Sequence, residues 1–469
     1  MLSTLSPVSA QQPTPDAPPT SEAPAEPPAD VTAEPPAEMA AEPAAEEDAA
    51  PAEEEAAPTG LLASQQPLVV ESGNTAWILT STALVLLMTI PGLALFYGGM
   101  VRKKNVIAMV TQNFAITCLV SVLWMVVVYS LAFGTHTDES MNQWFGGFDL
   151  VMLTAVTSET AHAATADLPE YLWIVYQMTF AIITVALITG AYADRMKFLP
   201  MLIFSSLWAV LVYGPICHWV WGGGWIGALG AADFAGGTVV HINAGVAGLV
   251  AAILLGKRKG YPTENMAPHN VVLTMIGASL LWVGWFGFNA GSAWTADAAS
   301  SVAMLNTQVA TALAALVWMI IEMLHRGKAS MLGLASGAVA GLVAITPAAG
   351  LVSPQASLVI GAAGGFGGYI GAVFLKKMLG YDDALDVFGI HGVCGIIGAI
   401  LTGVFYQGDG VTMVDQVGKQ ATAVGATLVY SGGVSAVILL ILKFTIGIRV
   451  NEEAEDEGLD TSLHGEAIH

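Results

Sequence analysis

Charged residues are scarce in this chain of 469 residues, since only 11% are Asp, Glu, Lys or Arg. An average soluble domain carries roughly 25%, so the composition excludes an ordinary soluble protein. Positive charge is scarcest: 15 Lys and Arg stand against 37 acids, which argues against nucleic acid as a partner. Cysteine is also rare, and the spacing of the three present fits neither a disulfide framework nor a zinc site.

The chain is instead rich in apolar sequence, with 55% hydrophobic residues and a mean hydropathy of +0.65. A helix that crosses a bilayer needs about 20 mostly apolar residues, and eleven runs meet that length. They predict an all-α polytopic membrane protein with 11 transmembrane helices. The runs are 76–101, 106–133, 171–193, 198–221, 234–256, 271–292, 299–324, 330–349, 355–375, 386–406 and 421–446.

Two acidic tails flank the apolar part. Residues 1–60 hold 13 acids and 13 of the 22 prolines but no Lys or Arg, a composition that predicts disorder. The sequence at 8–10, Val-Ser-Ala, resembles the end of a cleavable signal peptide, so residues 1–10 are interpreted as a remnant of one. The predicted parts are a disordered tail (1–74), a membrane domain (75–448) and a C-terminal tail (449–469).

The basic residues predict the orientation of the chain in the membrane. With 11 spans, 14 of the 15 Lys and Arg fall on one side, and only Lys419 falls on the other. Cytoplasmic loops are enriched in Lys and Arg. The N-terminus is therefore predicted outside and the C-terminus in the cytoplasm, which requires an odd number of spans.

Two histidines, His241 and His391, lie inside apolar runs. Each follows an aspartate by eight residues, Asp233 and Asp383 respectively. The fifth run goes inward and the tenth outward, so the first ten spans are interpreted as an inverted 5+5 repeat with one helix added. Eight helical residues rise about 12 Å, nearly half of a hydrocarbon core of about 30 Å. Both histidines are therefore predicted near the midplane, with the aspartates as caps at the helix starts.

A pair of imidazoles in an apolar channel suits a small amine-like substrate. Ionisable groups within a membrane mark substrate or proton paths, and adjoining imidazoles can relay a proton. Aromatic rings at the entrance would attract the charged form through cation–π interactions. Two other interpretations stay open: histidines that only pack, and histidines that hold a haem. The candidate aromatic residues are Tyr176, Phe180, Trp221 and Phe288.

Three segments resemble the signatures of the ammonium transporter family. They read DFAGGTVVHINAG at 233–245, GWFGFNAGS at 284–292 and DVFGIHGVCG at 386–395, in matching order and separation. The resemblance covers 75–466, and Trp221 before three glycines is similar to the bacterial ammonium transporter branch rather than the Rhesus branch. It implies a homotrimer in the inner (plasma) membrane that transports ammonium and its analogue methylammonium, without enzyme activity, metal or cofactor.

The resemblance also implies roles for residues at matching positions. His241 and His391 correspond to the twin pore histidines that relay a proton, and Phe180 and Phe288 to a gate above them. Ammonium would be recruited at an external aromatic site, lose its proton and pass as ammonia. The external site is implied to comprise Trp221, Ser292, Phe180 and Tyr176, with Asp233 and Asp383 as supporting carboxylates.

The C-terminal tail resembles the family through Arg449, Gly458 and Asp460. In the family this tail couples the three protomers and, in bacteria, docks a PII-type signalling protein on the cytoplasmic face. An ammonium sensor with little flux is the rival interpretation of the same fold. Sensor relatives usually carry a sizeable cytoplasmic domain, whereas 449–469 is short, which favours transport.

Overall fold

The computed structural model describes residues 61–408 and 410–468. The first part of the predicted disordered tail, 1–60, lies outside the described residues together with the signal-peptide remnant. The prediction is wrong for the rest of that tail, 61–74, because this segment contains the strand Gln65–Pro67 and the start of a helix at Ser72. Over the described part the chain is mostly helical, which confirms the predicted all-α class. Eleven apolar helices follow one another as α1 (Ser72–Met100), α2 (Lys103–Phe133), α3 (Glu170–Tyr192), α4 (Phe198–Leu229), α5 (Gly237–Leu255), α6 (Val271–Gly291), α7 (Ala298–Arg326), α8 (Met331–Ile345), α9 (Pro354–Leu379), α10 (Phe388–Phe405) and α11 (Met413–Thr445).

Ten of these helices within the described residues are long and apolar enough to cross a membrane, and α8 is the exception. It has 15 residues, which rise about 22 Å against a hydrocarbon core of about 30 Å. Its residues from Gly337 to Ile345 are all buried within the bundle. The multi-pass architecture is therefore confirmed, while the count of eleven crossings stays a prediction.

The helix α11 begins earlier than hydropathy predicts, at Met413 instead of residue 421. Its first turns carry polar side chains, which lower the mean hydropathy of the segment. These side chains form hydrogen bonds with the loop between α4 and α5. Gln416 donates to the Gly230 carbonyl at 3.0 Å, and Gln420 donates to the Ala232 carbonyl at 2.7 Å. These amides satisfy carbonyls in the loop before α5, which would otherwise lack backbone partners.

Several helices contain a π-helical turn, in which backbone hydrogen bonds join residues five apart instead of four apart as in an α-helix. In α1 this turn contains Pro91, which has no N–H to donate and therefore fits where the ladder is interrupted. In α5 the turn spans Gly237–Ile242, and in α10 it spans Phe388–Val393. Hydropathy is insensitive to these turns, so the sequence did not predict them.

Small residues let the helices α7, α8 and α9 lie very close together. A Cβ added to Gly361 of α9 would lie 2.6 Å from the Ala310 Cα of α7, and one added to Gly341 of α8 would lie 2.9 Å from the Thr311 Cα. Atoms do not approach that closely, so only glycine fits at these crossings. The Gly-rich runs thus build a tightly packed bundle, as small residues do in membrane proteins.

At one end of the bundle, two short strands join the segments that precede α1 and α3. The strand β1 (Gln65–Pro67) pairs antiparallel with β2 (Thr160–His162). Beneath them the buried Glu170 carboxylate accepts hydrogen bonds from Gln65 Nε2 at 2.8 Å and from the Tyr129 hydroxyl at 3.1 Å.

At the opposite end, buried ion pairs join the loops that follow α1, α3, α5 and α9. Arg258 lies 2.8 Å from Asp382 and 3.5 Å from Asp194, and Arg102 lies 2.9 Å from Asp194. Burial alone would raise the pKa of Asp382, but hydrogen bonds and charge from Arg258 hold that pKa below its usual value. Four of the predicted cytoplasmic loops thus meet at one end of the bundle.

Candidate functional site

The structure brings His241 and His391 into direct contact. Their Nδ1 atoms lie 3.3 Å apart and their rings stack with an interplanar angle of 19°. Both side chains are buried, with exposed fractions of 1% and 3%. Two neutral imidazoles share such a contact only if one Nδ1 carries hydrogen and the other accepts it. The pair then has one Nε2 acceptor and one Nε2 donor left for other partners.

Two glycines allow the helices that carry these histidines to meet. A Cβ on Gly245 of α5 would lie 2.5 Å from the Cα of Gly392 of α10. The backbones therefore touch one turn beyond His241 and directly after His391. This crossing fixes the spacing of the two imidazoles.

Asp233 caps the start of α5. Its Oδ1 accepts from the backbone N–H groups of Gly236 at 2.9 Å and Gly237 at 2.6 Å, and its Oδ2 accepts from the Thr238 N–H at 2.8 Å and from the Thr238 hydroxyl. Burial raises the pKa of Asp233, and these hydrogen bonds oppose the rise. Because the acceptor positions are filled by the chain itself, the carboxylate holds the first turn of α5 in place.

Asp383 takes the corresponding position before α10 but is less completely bonded. Its Oδ2 accepts from the Phe388 N–H at 2.7 Å, whereas its buried Oδ1 has no hydrogen-bond partner among the described residues. Burial and the nearby charge of Asp386 raise the pKa of Asp383 to about 6. Lys376 forms an ion pair with Asp386 and donates to the Asp383 carbonyl at 3.2 Å.

Aromatic rings continue from the histidine pair toward the strand end of the bundle. Phe288 lies 6.0 Å from His241 between ring centroids, and Phe180 stacks on Phe288 at 4.2 Å and 27°. Trp221 meets Phe180 edge-on at 5.9 Å. The predicted gate residues therefore form one stacked pair between Trp221 and the histidines.

Beyond the stacked pair lies a cavity of about 280 Å³, here called the mouth cavity. The exposed Ala164 lies at its opening. Trp221 donates to the Asp233 carbonyl at 2.9 Å and Ser292 donates to the Phe288 carbonyl at 2.8 Å, so both side chains are fixed. The lining residues are Ala164, Trp173, Gln177, Phe180, Val220, Trp221, Asp233, Phe234, Ser292 and Trp294.

Tyr176 was predicted in the external site, but the structure does not place it in the lining of the mouth cavity. Its side chain is fully buried, and its hydroxyl donates to the Gly287 carbonyl at 2.9 Å. The hydroxyl also lies 3.3 Å from Ser292 Oγ. The added oxygen of this tyrosine thus anchors the end of α6, while its ring supports Trp294 edge-on at 5.0 Å.

The sequence interpretation missed Trp173, Trp294 and, as a lining residue, Gln177. A periodic signal for two of them is present, because Trp173, Gln177 and Phe180 follow one another at spacings of four and three residues on α3. Residues at such spacings share one helix face. Trp294 has no comparable signal, since it lies in the loop after α6 with a positive φ of 66°.

The C-terminal tail folds back against the charged end of the membrane domain. Arg449 pairs with Glu455 at 2.8 Å and donates to the Leu255 carbonyl at 3.0 Å. Asp460 accepts from the Ala108 N–H at 2.8 Å, so it caps the start of α2.

Gly458 allows the closest approach of the tail to the membrane domain. It has a φ of +107°, and a Cβ there would lie 2.6 Å from the Lys104 carbonyl oxygen. Nearby, Lys104 Nζ donates to the Glu455 carbonyl at 2.9 Å, and the Lys259 N–H donates to Glu455 Oε1 at 2.7 Å. Of the three predicted tail residues, Arg449 therefore contacts the end of α5, and Gly458 and Asp460 contact the first turns of α2.

The geometry distinguishes among the chemistries that the histidines could perform. A haem iron between two imidazoles requires the porphyrin plane to separate them, whereas these Nδ1 atoms are already at hydrogen-bond distance. Within the described residues, no three His, Cys, Asp or Glu side chains group as metal ligands would. The arrangement favours proton sharing in an apolar column closed by aromatic rings.

Comparison with known proteins gives matches over the whole membrane domain and the tail. A profile of the Ammonium Transporter Family matches residues 76–468. The ammonium transporter of Aquifex aeolicus is 49% identical over 410 residues, which cover 85% of this chain and 94% of that protein. The ammonium transporter of Bacillus subtilis is 47% identical, with 85% of this chain and 99% of that protein covered.

Solved structures give the same fold. A protein described as Sensor Amt Protein superposes with a TM-score of 0.78 and 31% identity, covering 84% of this chain and 98% of that chain. Mep2 of Candida albicans superposes with a TM-score of 0.75 and 34% identity, covering 82% and 87%.

Proposed function

The chain belongs to the ammonium transporter family, and from that membership we propose that it conducts ammonium nitrogen through a twin-histidine pore. The observation that carries the proposal is the contact of His241 and His391 beneath the stacked pair of Phe180 and Phe288. The relatives are named as transporters rather than enzymes, and we extend that activity to this protein.

The first step is recruitment of ammonium at the mouth cavity. Trp221 and Phe180 both line this cavity. Cation–π attraction to their rings favours the charged form of the substrate. The hydroxyl oxygen of Ser292 donates its proton to the Phe288 carbonyl, which leaves oxygen lone pairs to accept an N–H from the cation. This combination concentrates ammonium before the gate.

The second step is loss of the proton. A bare cation in the apolar column would be poorly solvated, so ammonium sheds a proton at the gate and moves on as ammonia. The Nε2 acceptor of the histidine pair takes up that proton, the Nδ1–Nδ1 hydrogen bond passes a proton to the second imidazole, and that imidazole releases its Nε2 proton, while ammonia passes as a neutral molecule. Asp233 and Asp383 hold the helices that position the two imidazoles.

The membrane arrangement that accompanies this function is also a proposal. We propose 11 crossings, with α8 and the turns after it completing the eighth, and an inverted 5+5 repeat. The matching caps Asp233 and Asp383 and the matching π-helical turns of α5 and α10 support the repeat. The basic loops gathered at one end support an outside N-terminus and a cytoplasmic C-terminus. The protein would be a homotrimer in the inner (plasma) membrane.

The cytoplasmic tail is proposed as the control element. Its docking through Arg449, Gly458 and Asp460 connects it to the loops at the inner end of the pore. A PII-type protein that binds the same end three times in a trimer would gain affinity through multivalency. Tail position and pore exit would then respond together.

Methylammonium uptake tests the proposed function in whole cells. The full chain is expressed in a strain that lacks its own ammonium transporters, and labelled methylammonium is followed with and without competing ammonium. Uptake that rises with expression and falls with added ammonium supports transport. Ammonium-dependent signalling without measurable uptake would overturn it in favour of a sensor, the candidate suggested by the fold of the Sensor Amt Protein.

A further inference from the structure

A single side chain on α11 joins the two helices that carry the histidines. The Gln420 side chain is buried, with an exposed fraction of 2%. Its Oε1 accepts from the Ala232 N–H at 2.7 Å, and its Nε2 donates to the Ala232 carbonyl at 2.7 Å. The same Nε2 donates to the Ala399 carbonyl of α10 at 3.0 Å. Gln420 therefore connects the loop before α5 to the body of α10.

The two residues that Gln420 binds lie at fixed distances along the chain from the two histidines. Ala232 directly precedes Asp233, whose carboxylate holds the first turn of α5, and His241 lies eight residues after that aspartate. Ala399 lies eight residues after His391 on α10. A displacement of Ala232 relative to Ala399 would therefore move one imidazole relative to the other.

A glycine on α10 lets α11 approach closely enough to form these bonds. A Cβ added to Gly403 would lie 2.9 Å from the Val417 Cα and 3.0 Å from the Gln420 Cγ. The backbone of α11 cannot move away from such a contact without also moving the Gln420 amide. Glycine at position 403 thus sets the distance at which this amide meets α10.

The other half of the proposed repeat has a counterpart to Gln420 in the fully buried Arg195. Its Nη2 donates at 2.5 Å to the carbonyl of Asp382, which directly precedes the capping Asp383. Its Nε donates at 2.9 Å to the Gly256 carbonyl at the end of α5. Gln420 and Arg195 thus each hold the residue before one capping aspartate and reach the helix of the other histidine.

The neighbouring Gln416 shows what a side chain that only anchors the loop looks like. It lies one turn earlier on α11, has an exposed fraction of 1%, and donates to the Gly230 carbonyl at 3.0 Å. Its Nε2 also lies 3.4 Å from Gln420 Oε1. Among the described residues it forms no hydrogen bond with α10. Loop anchoring at this depth therefore does not require the bond to Ala399, which Gln420 alone adds.

We propose that Gln420 is a positioning residue of the pore, which maintains the hydrogen bond between His241 and His391 by holding the start of α5 against α10. The proposal rests on the proposed twin-histidine pore and names a residue on which its proton relay depends. Transfer of a proton between two nitrogens requires that they keep their separation and alignment, and small misplacements of reacting groups lower rates steeply. Loss of the Gln420 amide leaves the start of α5 free to shift along α10.

Solid-state nitrogen NMR of the full chain in lipid bilayers, with isotopically labelled histidine, is the direct test. The wild-type protein should show one protonated and one bare Nδ1 coupled across a hydrogen bond, and His391→Ala identifies the signals of the pair. Gln420→Met removes the amide but keeps a long unbranched side chain, and it should lose this coupling while still unfolding cooperatively on heating. Gln416→Met is the matched control and should keep the coupling.

Ammonium-evoked current in proteoliposomes gives the functional measurement. Gln420→Met should reduce the current by about tenfold or more, and Gln416→Met should give a current near that of the wild type. Gly403→Ala is the second variant, because its Cβ would push α11 away from α10 without changing the amide. It should weaken both the coupling and the current, and it decides the question if Gln420→Met does not fold.

The outcomes separate this proposal from the proposed function. A coupled imidazole pair and undiminished current in both Gln420→Met and Gly403→Ala would overturn the positioning role and leave the transporter intact. Equal losses in Gln416→Met and Gln420→Met would also overturn it, since they would show that both glutamines only anchor the loop. Absence of the coupled pair, or of any current, in the wild-type protein would instead overturn the twin-histidine pore.

Discussion

At the scale of single residues, two glycines decide how the proposed pore is built. Gly245 and Gly392 let the backbones of α5 and α10 touch, and this contact sets the 3.3 Å separation of His241 and His391. The histidines carry the chemistry of the site, but the distance between them depends on two positions at which glycine has no side chain to hold the helices apart.

Gly245→Ala should therefore damage both stability and transport. The added Cβ would lie 2.5 Å from the Gly392 Cα, and overpacking of this kind costs about 1–3 kcal/mol. A lower Tm in detergent and slower methylammonium uptake are the expected results. Gly433→Ala is the control, since nothing lies within 4 Å of a Cβ at that exposed position of α11. Equal behaviour of the two variants would contradict the role given to the crossing.

The sequence predicts the site residues that carry a motif or a repeated spacing, and it misses those that depend on loop conformation. His241 and His391 are found because equal spacing from Asp233 and Asp383 places them at equal depth. Trp294 is not found, because its position above Trp173 comes from a backbone conformation that tryptophan rarely adopts. No hydropathy or helical periodicity records such a conformation.

At the scale of elements, hydropathy predicts the helices of the bundle wherever their ends are apolar. It fails at α11, whose first turns use Gln416 and Gln420 to bind loop carbonyls. It also cannot show that the run at 330–349 yields only the 15-residue helix α8. Polar residues inside a helix and turns inside an apolar run are both invisible to a mean hydropathy.

The tail offers an element-scale prediction at Gly458. In Gly458→Ala, the Cβ would lie 2.6 Å from the Lys104 carbonyl oxygen at a φ of +107°, so the tail should detach from α2. Limited proteolysis of purified protein should then cut the C-terminal tail faster than in the wild type. Gly465→Ala separates clash from backbone strain, because Gly465 also has a positive φ of 68° but an added Cβ meets nothing within 4 Å. Similar cleavage of both variants would show that strain alone loosens the tail.

The ion pairs at the charged end give a prediction about pH. Arg258 holds the pKa of Asp382 below the usual 3.8 against the effect of burial. The pair therefore stabilises the fold above pH 3.8, and this contribution is lost as the pH falls through the lowered pKa of Asp382. Arg258→Met leaves the buried carboxylate of Asp382 without its ion-pair partner, whereas Asp194 keeps Arg102, and the loss should cost roughly 3–5 kcal/mol near neutral pH.

Thermal unfolding in detergent, from pH 7 to below pH 4, measures how much the Arg258–Asp382 pair stabilises the fold. The difference in Tm between wild type and Arg258→Met should be largest near pH 7 and shrink toward pH 4 and below. Lys328→Met, which removes an exposed charge on a loop, should track the wild type at every pH. A difference that stays constant with pH would show that lost packing, rather than charge pairing, explains the variant.

At the scale of the whole molecule, the aromatic cavity, the histidine pair and the buried ion pairs follow one another from one end of the bundle to the other. The aromatic mouth cavity and the paired strands lie at one end, the buried ion pairs and the docked tail at the other, and the histidine pair lies in the apolar column between them. The distribution of Lys and Arg predicts this polarity from sequence. The docking of the tail could not be predicted, because it depends on backbone contacts at Leu459 and Ala108 that composition does not encode.

The central claim is that ammonia passes through the pore while His241 and His391 relay the proton taken from ammonium. Ammonium-evoked current in proteoliposomes on a solid-supported membrane tests this claim most directly. The wild-type protein should give a saturable current on addition of ammonium. His241→Ala and His391→Ala should each reduce it to the level of protein-free liposomes while the Tm and the oligomeric state in detergent stay near those of the wild type. Undiminished currents in both single variants would contradict the twin-histidine pore.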